Sequence, residues 1–138
     1  LAANTLIIAA AGNESTRPNR IAPVGRPANC PSIMSVAAVD VQGNIAPFSC
    51  GGINPGSASA VDIAGPGVAV RSMWHMPRRY RSINGTSMAT PHVAGIAALW
   101  LESQNMSAQQ LWLKLMQTSR RLNLPSRDVG AGLVQAPQ

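Results

Sequence analysis

Asn84-Gly85-Thr86-Ser87-Met88-Ala89-Thr90-Pro91-His92-Val93-Ala94-Gly95 joins a tight turn to the start of a helix. Asn-Gly favours the turn, and Asn84 or Thr86 is the expected N-cap. Val93, Ile96, Ala97, Leu99 and Trp100 then recur at helical spacing, with Ala and Gly between them, so a helix is predicted over Thr86 to Gln104, buried on most sides. Ser87 falls in its first turn, where unpaired backbone N–H groups and the positive end of the helix dipole favour developing negative charge. Gly85 removes a side chain where another backbone must come close. Pro91 cannot donate to the carbonyl of Ser87, which leaves the helix start partly unlatched at that residue. A lone Ser here reads as an ordinary cap; its neighbours give it a second reading as a nucleophile.

Upstream, Thr5 to Ala10 is a short uninterrupted apolar run that stops at Gly12-Asn13, and Ser32 to Val41 is a second strand candidate with few polar residues. Both read as interior strands of a parallel sheet covered on both faces. Ser15 to Pro31 is aperiodic and rich in Pro, Arg and Asn, a long surface loop of the sort that shapes binding sites. Gln42 to Ser59 is turn-rich, through Gln42-Gly43-Asn44, Gly51-Gly52 and Asn54-Pro55-Gly56. Val61 to Ala64 reads as a short strand ended by the turn Gly65-Pro66-Gly67, Val68 to Met73 as another strand, and Met76 to Ser82 as a basic loop. Downstream, Ser107 opens an amphipathic helix through Thr118, with Leu111 and Leu115, and beside them Trp112 and Met116, on its apolar face. Short apolar strands alternating with helices define an α/β fold with a mostly parallel sheet.

The chain has 138 residues, 46% of them hydrophobic, which suits one domain. Leu1 leads almost at once into the first apolar run, so the chain is expected to begin within a fold. It carries no signal-like or membrane-length segment. The net charge of +6 rests on scattered arginines with 4% aromatics, a pattern of solvated basic surface and not of nucleic-acid binding. The run Arg78-Arg79-Tyr80-Arg81 is read as such a face, the alternative being a leaning toward acidic substrates. Cys30 and Cys50 lack the spacing and partners of a redox pair or a zinc site; they form either one disulfide or two small buried apolar side chains.

The stretch from Gly85 to Gly95 resembles, at every position, the nucleophile motif of the subtilisin-like serine proteases, Gly-Thr-Ser-Met-Ala-x-Pro-His-Val-Ala-Gly. Ala10-Ala11-Gly12-Asn13-Glu14 is similar to the family's oxyanion-hole segment, Ile63 to Gly67 to its strand and turn before the nucleophile, and Gly130-Ala131-Gly132-Leu133-Val134 to its closing strand. The resemblance implies a subtilisin-like three-layer fold lacking its N-terminal part, with residues 1–138 the C-terminal portion of a single catalytic domain. It implies Ser87 as nucleophile of a serine endopeptidase that works through an acyl-enzyme, and Asn13 as a side-chain oxyanion donor. Ala10, Ala11 and Gly12 would form one wall of the pocket for the residue before the cleaved bond, with Glu14 and Gly25 near its base. Met88 would be an oxidation-sensitive neighbour of the nucleophile.

The family's catalytic Asp and His precede the oxyanion Asn and are expected upstream of this chain. His92 lies inside the nucleophile motif, where the family's His is structural. His75 has no acidic neighbour in sequence, and Glu14, Asp40, Asp62, Glu102 and Asp128 all lie outside the triad context. The isolated chain is therefore expected to be inactive. No cofactor or metal is expected to take part, and no acidic cluster suggests a calcium site. The expected partners are a polypeptide substrate, the N-terminal part of the same domain and, through an exposed strand edge at Leu6 to Ala9, a further copy of the chain. An extracytoplasmic location is expected for the parent protein. The competing reading is a noncatalytic binding or assembly module on a protease-derived fold, and the upstream Asp and His would decide between the two.

Overall fold

The computed structural model describes residues 3–52 and 60–138. Its central strand is β2, Ile33–Val39, flanked in parallel by β1, Ile7–Ala10, and β3, Ile63–Pro66. Ile7 stands opposite Ile33 and Ala10 opposite Val36 on one side; Val36 pairs with Ile63 and Val39 with Pro66 on the other. A strand paired on both edges and covered on both faces has no use for a polar side, and from Met34 to Val39 every residue of β2 is buried.

The two faces of β2 alternate with period 2. Met34, Val36 and Ala38 pack with Val93, Ala97, Trp100, Leu111 and Leu115. These belong to α1, Thr86–Ser103, and α2, Ala108–Thr118, which form the helical layer. Ala37 and Val39 face the opposite way, against Ala22, Val24, Ala28, Cys50 and Val129. The layer on that side is loop, closed by the short helix α3, Ser126–Val129. Its anchor is the ion pair of Arg17 with Asp128 at 2.8 Å, both side chains nearly buried.

Two strands, β4 (Val70–Met73) and β5 (Tyr80–Ile83), form a separate antiparallel hairpin between β3 and α1. The mixed α/β architecture with a parallel sheet agrees with the sequence expectation, and several details differ. The basic segment expected as a loop contains strand β5. Its residues stay solvated, because the hairpin pairs only with itself. Strand β3 runs through Gly65 and Pro66, where a turn was expected. Pro66 sits at the strand's last position, where its missing N–H costs the ladder nothing. The long loop from Ser15 closes on itself early, through a bridge between Thr16 and Arg20.

Helix α1 is not buried on most sides. Thr86, Ala89, Val93, Ala97 and Trp100 form one buried stripe, while Leu99 and Leu101, on opposite sides of that stripe, are 47% and 45% exposed. Its N-cap is Gly85, which has no side chain to offer; Asn84 accepts from the Ala69 N–H instead. Ser107 caps α2 as expected, in a reciprocal box with Gln110. Strand β1, expected in the interior, is an edge strand among the described residues, with Ile7 51% exposed. The other sheet edge is covered: Ala64 donates to Gly132 at 2.9 Å and accepts from Val134 at 3.0 Å. The turn expected at Asn54-Pro55-Gly56 lies outside the described residues.

Candidate active site

Three chain segments meet at the start of α1. The first is the end of β2, from which Gly67 hangs by its N–H on Val39 O at 3.0 Å; Gly85 in turn donates to Gly67 O at 2.8 Å. Only glycine fits at 67, because a Cβ there would stand 2.5 Å from the Ala38 Cβ and 2.7 Å from Gly85 O. These contacts fix the approach of the chain to Ser87, which is exposed in the first turn of α1.

The second segment leaves the end of β1. Ala11 is fully buried, and Ala11 O accepts from Gly25 N at 2.9 Å, so the wall and base residues of the expected pocket are neighbours. Gly12 then takes a φ of 115°, open to glycine and strained for any other residue, and turns Asn13 toward the helix start. Asn13 Oδ1 accepts two hydrogen bonds, from Thr86 N at 2.8 Å and from Thr86 Oγ1 at 2.9 Å. Thr86 Oγ1 in turn accepts from Gly12 N at 3.2 Å. With its oxygen committed to two donors, the Asn13 amide has a fixed orientation, and its Nδ2 is left for another acceptor.

The place where that acceptor would stand is marked by Gly85. A Cβ built there would lie 3.7 Å from Ser87 N and 3.8 Å from Asn13 Nδ2, so the two donors border one small space that glycine keeps empty. An oxygen carrying developing negative charge is the group that such a pair of preorganised donors stabilises.

The third segment brings Cys50. Its N–H donates to Gly12 O at 3.0 Å, its thiol donates to Glu14 Oε2 at 3.0 Å, and its sulfur accepts from Glu14 N at 3.4 Å. Cys50 thus holds the residues on either side of Asn13. The thiol hydrogen bond holds the Glu14 carboxyl below the usual carboxylate range, and burial, followed by the Glu14 carboxylate, pushes the Cys50 thiol up. Both cysteines are free, Cys30 exposed and Cys50 buried, so the disulfide alternative does not hold, and of the two only Cys50 is a buried side chain.

The roles of Thr86 and Cys50 were not anticipated. Thr86 stood next to Ser87 as a candidate cap, and its tertiary bond to a residue 73 positions away has no local signature. Cys50 gave no signal beyond its apolar character.

Neither His joins a carboxylate among the described residues. His92 Nδ1 lies 2.8 Å from Met88 O, one helical turn back, and His75 Nδ1 lies 2.9 Å from Met76 O. No group of three or more His, Cys, Asp or Glu side chains able to hold a metal ion occurs among the described residues. No helix there is long and apolar enough to cross a membrane.

The segments that carry this geometry also match known proteins. The subtilase family model matches residues 1–132. A thermostable alkaline protease of Halalkalibacterium halodurans is 40% identical over 136 residues, covering 97% of this chain and 34% of that protein. Subtilisin DY of Bacillus licheniformis is 38% identical over 134 residues, covering 96% of this chain and 46% of that protein. Among solved structures, sphericase superposes with a TM-score of 0.82 at 29% identity, over 99% of this chain and 49% of that one. The chain therefore belongs to the subtilase family of serine proteases and has the subtilisin fold. It spans less than half the length of these curated relatives and about half of the solved structure.

Proposed function

We propose that the whole protein is an endopeptidase that cleaves peptide bonds through an acyl-enzyme on Ser87. Ser87 Oγ attacks the scissile carbonyl carbon, and its proton passes to a general base. The carbonyl oxygen becomes an oxyanion between Ser87 N–H and Asn13 Nδ2. Collapse of this intermediate expels the amine, which takes the proton, and water then hydrolyses the ester. The observation that carries this reading is the commitment of Asn13 Oδ1 to Thr86, which leaves Nδ2 for the space beside Gly85 and Ser87. Ala10, Ala11 and Gly12 form the wall of the acyl-side pocket, with Glu14 and Gly25 near its base.

The general base and its orienting carboxylate come from an N-terminal part of the same catalytic domain, of which residues 1–138 are the C-terminal portion. That part covers the open edge of β1 and the adjoining flank of α1, where Leu6, Ile8, Ala94, Ala98 and Leu101 line a cleft of about 330 Å³. The length of the relatives beyond the matched region and the apolar character of this face support the assignment. Without that part the chain is inactive, its open edge is free to recruit a second copy, and the parent protease works outside the cytoplasm. The test is hydrolysis of a peptide ester by the full-length protein and its Ser87→Ala variant. Turnover that disappears in the variant supports the reading, whereas equal turnover in both overturns it.

A further inference from the structure

We infer that the β4–β5 hairpin selects substrates with acidic side chains on the leaving-group side of the scissile bond. The inference rests on Ser87 as the nucleophile. Asn13 reaches the helix start through Thr86, on one flank of Ser87, and the acyl-side pocket adjoins it there. On the other flank a cleft of about 290 Å³ is lined by Val70, Arg71 and Ile83 of the hairpin and by Met88, Pro91 and His92 of α1. With the acyl segment seated in the pocket beside Asn13, as proposed above, the leaving segment runs along this second flank.

The charge on that flank is uncompensated. The hairpin carries Arg71, Arg78, Arg79 and Arg81, all exposed, and the sequence has no carboxylate between Asp62 and Glu102. Both ion pairs among the described residues use Asp128, far from the hairpin in the sequence. Two of these arginines are also held in place. The Arg71 guanidinium lies 5.2 Å from the Tyr80 ring centroid and that of Arg81 lies 4.9 Å from the Trp74 ring centroid. Stacking of this kind leaves the guanidinium edges free for a carboxylate while reducing the side-chain freedom lost on binding. Strand pairing sets Arg71 opposite Ser82 and Ser72 opposite Arg81, so the two cations project to opposite faces of the ribbon: Arg71 lines the cleft, and Arg81 adds its charge from the other face.

Cleavage-site mapping on a mixed peptide library by the full-length protease tests this directly. Asp and Glu should be enriched in the first few positions after the cut, and Arg71→Ala/Arg81→Ala should erase the enrichment while Arg71→Lys/Arg81→Lys retains most of it. A separate arm uses the Ser87→Ala protein, whose binding is independent of catalysis. At about 50 mM salt, a peptide ending in an Asp-Glu pair should bind at least about fivefold more tightly than its Ser-Gln counterpart, and at about 500 mM salt the ratio should fall below about twofold. Equal affinities, a preference that survives the double alanine variant, or tighter binding of a single-stranded oligonucleotide than of the acidic peptide would overturn the assignment. If the protease fails to cleave at all, the reading of Ser87 fails, and the binding arm still decides the charge preference.

Discussion

The two flanks of α1 are built from similar residues and do different things. The inward stripe of Thr86, Ala89, Val93, Ala97 and Trp100 is packed on the sheet, and at its first residue it turns into the hydrogen-bonded ring of Gly12, Asn13 and Thr86. The outward flank, with Ala94, Ala98 and Leu101, is just as apolar and stays open in a cleft beside Leu6 and Ile8. On the reading proposed above, the first surface supplies stability and orients the site, and the second is where the rest of the domain packs.

The sharpest way to break that comparison is at the ring. Asn13→Ala removes the side-chain donor beside Ser87, and kcat of the full-length protease should fall by about 10² to 10³ with little change in KM. That is the loss found for the equivalent type of donor in a subtilisin. A fall of less than about tenfold would mean that Nδ2 does not meet the developing charge.

One level down, the inward stripe should answer to truncation. Val93 is fully buried, and Val93→Ala should cost about 2 to 3 kcal/mol in denaturant unfolding, from lost burial plus a residual cavity. Ala98→Glu/Leu101→Glu on the outward flank should change the stability of the isolated chain by less than about 0.5 kcal/mol. The same pair should weaken association with the N-terminal part of the domain, measured by sedimentation of the mixed halves. A large loss of stability from the outward pair would show that this flank is already part of the core.

The smallest effect concerns pH. Burial raises the pKa of Asp62, partly offset by the Ser35 N–H that donates to its carboxylate at 2.7 Å. A carboxyl raised in the folded state contributes stability that is present below its unfolded pKa and is lost as pH rises through its folded one. Asp62→Asn should therefore flatten that part of the stability profile between acid and neutral pH, read from melting temperatures across the range. A profile as steep as the parent's would show that burial does not bear on this group.

Much of this was legible in the sequence where local pattern and tertiary role coincide. β2 is apolar at every position but Ser35 because both its faces are covered, and α1 repeats its apolar residues because it lies along a sheet. The start of α1 was legible because a tight turn adjoins helically spaced apolar residues, whereas the role proposed for Ser87 came from the likeness of Gly85 to Gly95 to the subtilase motif. β5 was not, since a strand that pairs only with its hairpin neighbour needs no apolar face, and Arg79-Tyr80-Arg81 looks the same in a solvated loop. The outward flank of α1 was misread for a related reason: apolar periodicity shows that a helix face is to be covered and not by which chain. Cys50 and Thr86 act through partners far away in sequence, so their hold on the Asn13 segment could be seen only once the strand ends were brought together.

The central claim is that Ser87 is a nucleophile whose base lies outside this chain, and its reaction with a fluorophosphonate, followed by intact mass, tests that most directly. Stoichiometric labelling of the full-length protein, abolished by Ser87→Ala and absent from the isolated chain, is the predicted result. Labelling of the isolated chain at a comparable rate would contradict it and would move the search for the base to His75 and His92.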